Sequence, residues 1–322
     1  MKVFIPKPIP EIGIRLLKEA GHEVTLYEGP PLSREEMIGA CREHDALLGA
    51  GFSKLDADLL EACRHLKVIA LFSVGYDNVD VAAATRLKIP VGNTPGVLSN
   101  ATADTAFLLM LAVSRKAFYL HNTIAKGEWG TSEITSLGVE LNGKTLGVFG
   151  MGSIGTLLAQ KCAGAYGMKV IYHNRRPNGE AEQKLGAVWV SFEDLLGQSD
   201  VLSVHAALTP ETKGRFDKKA FSAMKPSAIF INTARGGIHN EQDLTEAVKT
   251  GVIWGAGLDV TNPEPMDKNN PLLFMPNVAV LPHIGSATVE ARNGMATIAA
   301  QNIIAGLKGE RLPHAVNPGV YG

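Results

Sequence analysis

Cysteine is scarce: 3 in 322 residues, and Cys41, Cys63 and Cys162 stand in no CxxC or Cys/His spacing. A disulfide scaffold and a cysteine-built zinc site are thereby excluded, and the default compartment is a reducing, cytoplasmic one. The three read as ordinary core thiols, and no metal is expected. Neither sign of charge dominates, with 31 basic against 32 acidic side chains and a net charge of -1. Without a basic block there is no electrostatic footprint for nucleic acid. Long apolar runs are also missing: the longest, Ala106 through Val113, is 8 residues, far short of the roughly 20 that span a bilayer. The apolar start Met-Lys-Val-Phe-Ile meets Pro6 too soon for a signal peptide. A soluble chain with a small-molecule partner, and neither nucleic acid nor membrane, is what remains.

What is present in excess is glycine, 34 residues, roughly a tenth of the chain against a usual value near 7%. The length predicts two domains, each large enough for its own core. Over the first hundred residues short β-branched runs (3–5, 23–27, 46–48, 68–72) alternate with amphipathic stretches (12–20, 56–64). Another helix is opened by the capping box Ser33-Arg-Glu-Glu36. This βα rhythm predicts a parallel sheet. A long helical pattern over 100–126, without internal Gly or Pro, predicts one continuous bridging helix. A second βα series follows, with strands expected at 146–149, 170–173, 188–190, 201–204, 228–231, 257–260 and 278–281. The last helix, 288–307, is expected to return to the first domain. The fold class is α/β with two doubly wound parallel-sheet domains, a discontinuous one (1–99 and 288–322) and a dinucleotide-binding one (100–287).

The sequence GMGSIG, from Gly150 through Gly152, Ser153 and Ile154 to Gly155, follows an apolar strand and opens a helical stretch over 153–166. The first Gly permits the turn, the second lets backbone approach a pyrophosphate, and the third packs helix on strand. The helix N-terminus then offers N–H groups and positive dipole to phosphate. About 20 residues on, such folds place an acid on the ribose hydroxyls of NAD. Here the strand ends Tyr172-His173-Asn174-Arg175-Arg176. An acid would repel a 2'-phosphate, whereas Arg binds one through charge-assisted bonds. NADP(H) is the expected preference, with NAD(H) also admitted.

Three more segments put reactive side chains at strand ends: INTARGG carries Arg235, GLDVTNPEP carries Glu264, and LPHIGSAT carries His283. Ligands of open α/β sheets bind at that edge. Arg to hold a carboxylate, His to deliver a proton, and Glu to orient the imidazole and favour its charged form suit a carbonyl reduction. His205 also ends a strand, and it reads as structural.

These four motifs, in this order, resemble the D-isomer-specific 2-hydroxyacid dehydrogenases, and the final stretch most resembles the glyoxylate/hydroxypyruvate reductases. The resemblance runs from Ser73-Val-Gly-Tyr-Asp77 through Asn302. It implies a flavodoxin-like substrate domain and a Rossmann nucleotide-binding domain with the active site in the cleft between them. It implies His283 as general acid/base, Glu264 as its partner and Arg235 as the substrate clamp. Backbone N–H groups around Val74 and Gly75 would hold the other carboxylate oxygen. Thr233 and Asp259 would lie along the nicotinamide and its ribose, Gly285 near the carboxamide, and Thr102 near the cofactor. The implied reaction is NADPH-dependent reduction of glyoxylate or hydroxypyruvate to glycolate or D-glycerate, by a homodimer.

Two departures stand out. Asp104 occupies a place where the family often has Glu, and the loop 127–141 has Trp129 but no second Trp. A larger 2-oxo acid therefore stays open, including 2-ketogluconate. A dinucleotide-sensing protein without turnover is the alternative from another class.

Overall fold

The structure, a computed structural model, describes residues 1–49, 54–129 and 137–322. It forms two units, Met1–Leu98 with Ala287–Gly322, and Ser99–Ser286.

In the first unit, short runs of Val, Ile, Leu and Ala form the central strands, buried on both faces, while the edge strand at Glu23–Leu26 alternates exposed and half-buried residues. In chain order the elements are β1 (Lys2–Ile5), α1 (Glu11–Glu19), β2 (Glu23–Leu26), α2 (Arg34–Arg42), β3 (Ala46–Gly49), α3 (Ala57–Ala62), β4 (Val68–Leu71), α4 (Val81–Arg86) and β5 (Val91–Gly92). The sheet is parallel with order β2-β1-β3-β4-β5, the flavodoxin-like arrangement. The capping box closes as expected: Ser33 Oγ accepts from the Glu36 N–H and Glu36 Oε2 accepts from the Ser33 N–H. Strand periodicity sends Val3, Ile5, Ala46, Leu48, Val68 and Ala70 to one core, and Phe4, Leu47, Ile69 and Leu71 to the other. Strand β5 was not legible in the sequence. It is two residues long, and its Val91 N–H is satisfied by the Asn317 side chain, 226 positions away.

The second unit comprises α5 (Ser99–Ser114), α6 (Ala117–Ala125), β6 (Thr145–Phe149), α7 (Ser153–Tyr166), β7 (Lys169–His173), α8 (Gly179–Leu185), β8 (Val188–Trp189), α9 (Phe192–Gln198), β9 (Val201–Val204), α10 (Lys218–Ser222), β10 (Ile229–Asn232), α11 (Glu241–Lys249), β11 (Gly255–Leu258) and β12 (Val278–Val280). Its seven strands are parallel in the order β12-β11-β10-β9-β6-β7-β8, the Rossmann order with an added edge strand.

Two expectations are corrected here. The continuous helix over 100–126 is broken into α5 and α6, with Lys116 left-handed at φ 54°. The reason is tertiary: the Val139 N–H takes the Ser114 carbonyl at 2.8 Å, an acceptor the next helical turn needs. The strand expected at 257–260 lies at Gly255–Leu258. Gly is a poor strand former, but a Cβ at Gly257 would come within 2.9 Å of Leu109 Cβ in α5, so close helix-on-sheet packing selects it.

The chain's last helix, α12 (Val289–Leu307), lies in the first unit. Its Ala299, Ala300 and Ile303 complete the core formed by Val3, Ile5 and Val68. Small residues permit this approach: a Cβ at Gly306 would stand 2.5 Å from Val68 Cβ. Among the described residues no helix is long and apolar enough to cross a membrane.

Candidate active site

Because all strands of the second unit run the same way, the segments after β6, β7, β10, β11 and β12 meet one edge of its sheet. Gly150 has φ +103°, and a Cβ there would sit 2.6 Å from the Ala206 nitrogen. At Gly155 a Cβ would meet the Gly150 carbonyl at 2.5 Å, which fixes α7 close to its strand. At Gly152 a Cβ would meet nothing within 4 Å, so backbone faces open space there. Gly152 is the N-cap of the 14-residue α7 and has no side-chain cap. The first N–H groups of that helix, Ser153 and Ile154 among them, are thus presented to an anion. The loop fits a dinucleotide pyrophosphate.

Asn174 and Arg175 follow β7. Asn174 ties strand to loop: its Oδ1 accepts from the Met151 N–H at 2.7 Å, and Asn178 Nδ2 donates to the Met151 carbonyl at 2.9 Å. Arg175 and Arg176 are exposed, and among the described residues neither forms an ion pair.

At the other strands the geometry is tighter. His283 Nδ1 lies 2.5 Å from Glu264 Oε1, the two side chains 29% and 26% exposed. His283 has φ 55°, a left-handed conformation that non-glycine residues hold only when their surroundings enforce it. The enforcing contacts come from Asp259. Its carbonyl accepts from the His283 N–H at 2.9 Å, and its carboxylate oxygens accept from the N–H groups of Ile284 at 2.7 Å and Gly285 at 2.8 Å. Burial pushes the Asp259 carboxyl up, against those two donors. Thr102 Oγ1 donates to the Gly285 carbonyl at 3.0 Å, and a Cβ on Gly285 would strike the Asp259 carboxylate at 2.9 Å.

Arg235 begins the turn after β10, half-buried, with Nη1 donating to the Ala234 carbonyl at 2.8 Å. Thr233, buried beside it, lies 3.5 Å from His205 Nδ1, and His205 Nε2 is 2.8 Å from Ser203 Oγ. Burial lowers the His205 imidazole to about 4, so it stays neutral. Val74 and Gly75 belong to the other unit. Their carbonyls accept from Asn93 Nδ2 at 2.8 Å and Ser73 Oγ at 2.7 Å, and among the described residues their N–H groups have no acceptor. Trp129 is exposed, while residues 130–136 of its loop lie outside the described residues.

Sequence reading missed three residues around these side chains. Asn232 and His239 brace the Arg235 turn. Glu241 Oε2 accepts from the Asn262 N–H at 2.8 Å and Oε1 from Asn270 Nδ2 at 2.6 Å, steadying the loop of Glu264. Asn232 stands inside the INTARGG motif, but its bonds cross a turn that spacing does not reveal. Among the described residues no cluster of side chains suits a metal.

Residues 107–285 match the family model described as D-isomer specific 2-hydroxyacid dehydrogenase, NAD binding domain. The chain is 46% identical over 325 residues to a glyoxylate reductase of Thermococcus litoralis, covering 99% of this chain and 97% of the relative. Among solved structures, a glyoxylate reductase from Paecilomyes thermophila matches with TM-score 0.87 and 34% identity, covering 98% of each chain. An NADPH-dependent glyoxylate/hydroxypyruvate reductase from Sinorhizobium meliloti, in complex with NADP and malonate, matches with TM-score 0.87 and 31% identity, covering 99% of this chain and 97% of that one.

Proposed function

We propose a reaction from one premise: the chain belongs to the D-isomer specific 2-hydroxyacid dehydrogenase family and is an NAD(P)-dependent oxidoreductase. The reaction is reduction of a small 2-oxo acid, glyoxylate or hydroxypyruvate, to glycolate or D-glycerate, with NADPH preferred over NADH. The observation that carries it is the His283–Glu264 pair at 2.5 Å, on the sheet edge that also holds Arg235 and the glycine loop.

Bound along Gly150, Gly152 and Gly155, a reduced nicotinamide dinucleotide supplies the hydride. His283 donates a proton to the carbonyl oxygen of the 2-oxo acid as that oxygen becomes an alkoxide. Glu264 holds the ring through Nδ1, which leaves Nε2 as the atom that transfers the proton. Arg235 binds the carboxylate and stabilises charge developing on the same oxygen. Val74 and Gly75 take the remaining carboxylate oxygen through backbone N–H, and Asp259, Thr102 and Gly285 keep the His283 segment in place. Asn174 has no charge to repel a 2'-phosphate, and Arg175 and Arg176 are free to meet one, which supports NADPH. So does the NADPH-dependent relative.

A larger substrate such as 2-ketogluconate is a second reading, supported by the single Trp in the loop 127–141. Initial rates for NADPH and NADH against glyoxylate, hydroxypyruvate, pyruvate and 2-ketogluconate test all of this. The highest kcat/KM is expected for NADPH with glyoxylate or hydroxypyruvate. Cofactor binding without turnover on the whole panel would instead mark a dinucleotide sensor. Exposed Leu108, Tyr119 and Ile124 on α5 and α6 support a homodimer, which light scattering at micromolar concentration would reject by showing a monomer.

A further inference from the structure

We infer that Asn232 and His239 are positioning residues that hold Arg235 in the geometry its substrate contact requires. The inference rests on the proposed role of Arg235.

Asn232, the last residue of β10, is fully buried, and its carboxamide spans the whole turn. Oδ1 accepts from the Ala234 N–H at 2.9 Å, while Nδ2 donates to the Arg235 carbonyl at 2.9 Å and to His239 Nδ1 at 3.0 Å. Both amide hydrogens are thus used, and one side chain ties the Thr233–Ala234 peptide to the Arg235–Gly236 peptide across the peptide between them. From the far side the turn is pressed by backbone: a Cβ on Gly236 would lie 2.0 Å from the Thr261 carbonyl oxygen. That carbonyl belongs to the segment leading to Glu264. The Ile238 N–H also donates to the Arg235 carbonyl at 3.2 Å, and the three bonds of Asn232 add a buried side-chain brace to that backbone turn.

His239 completes the brace. Its ring is 1% exposed and lies edge-on to Phe230 at 5.8 Å. Since Nδ1 faces an amide donor, Nδ1 is the acceptor and the proton resides on Nε2. Nε2 is buried and has no partner among the described residues. An unmet buried donor is unfavourable, a cost that an aliphatic side chain of similar size would avoid. The acceptor at Nδ1 is what the imidazole provides in exchange. Without it one Asn232 hydrogen loses its partner, and the carboxamide is free to turn away from Arg235. Burial also keeps the ring neutral, its pKa lowered to about 4, so the acceptor persists at neutral pH.

The test compares His239→Leu, which removes the acceptor, with His239→Asn, which keeps an oxygen near the Nδ1 position. Asn232→Ala is then made alone and in an Arg235→Ala background. Glyoxylate reduction is measured with NADPH, alongside NADPH affinity by fluorescence and folding by circular dichroism. A displacement of about 1 Å can lower turnover on the order of 100-fold. Accordingly His239→Leu should lose roughly tenfold and Asn232→Ala roughly 100-fold in kcat/KM, with NADPH affinity within about twofold. His239→Asn should recover most of the loss. In the Arg235→Ala background, Asn232→Ala should lower kcat/KM by less than about twofold, because the group it positions is gone. Losses that multiply, or a His239→Asn variant as impaired as His239→Leu, would overturn the inference. Near-normal turnover of Arg235→Ala would instead overturn the role of Arg235 itself.

Discussion

The two sheets are built by one rule and finish differently. Both are parallel, covered on both faces, and assembled from four- or five-residue apolar strands with short edge strands. After β4, the first unit presents main chain: the carbonyls of Val74 and Gly75 are tied to Asn93 and Ser73, and among the described residues their N–H groups have no acceptor. At the ends of β10, β11 and β12 the second unit presents side chains, Arg235, Glu264 and His283. The difference follows from where each unit spends its buried polar groups. In the first, Asn302 and Asn317 bind the C-terminal segment to β5 and its flanks through bonds of 2.8–3.2 Å. In the second, buried Asn232, His239 and Asp259 and half-buried Glu241 hold the turns and loops that carry the charged residues. A charge at a sheet edge can be aimed only if something buried holds its backbone.

The largest effect that would break this comparison is at His283. His283→Ala should lower kcat by about 10²–10⁴-fold with circular dichroism unchanged, and near-normal turnover would remove the second unit's claim to the chemistry.

Acid should act next, through the buried histidines. His239 stays neutral down to about 4 when folded, whereas an unfolded imidazole takes a proton below about 6.5. Protons bound only by the unfolded chain lower stability as pH falls. Urea melts between pH 6.5 and 4 should therefore show a loss of roughly 3 kcal/mol from this group. His239→Leu should remove that share, and an identical pH slope would contradict it.

Replacing both Arg175 and Arg176 with Ser should raise KM for NADPH about tenfold or more, from lost charge-assisted bonds worth about 1.5–3 kcal/mol. NADH kinetics should hardly change, and equal effects on both cofactors would break the assignment. The smallest change is expected in the first unit. Gly306→Ala pushes a methyl onto Val68 and should destabilise by about 1–3 kcal/mol, seen as a lower Tm with NADPH affinity intact.

Both βα series, the glycine loop and its helix, the capping box at Ser33 and the motifs bearing Arg235, Glu264 and His283 were legible because each is a local pattern. Hydrophobic period, turn chemistry and cap chemistry act over a few residues, and order along the chain supplied the rest. The break at Lys116, the two-residue shift of β11 to Gly255–Leu258 and the tiny β5 were illegible for the opposite reason. Each depends on a partner distant in sequence: Val139 at the Ser114 carbonyl, Leu109 above Gly257, Asn317 at the Val91 N–H. The same holds around the reactive residues. The sequence by itself determined which side chains stand at strand ends and that a dinucleotide loop precedes α7. Only the tertiary structure decided that Asp259 holds the left-handed His283 and that Asn232 and His239 brace Arg235, since a hydrogen bond across a turn or between loops has no period to read.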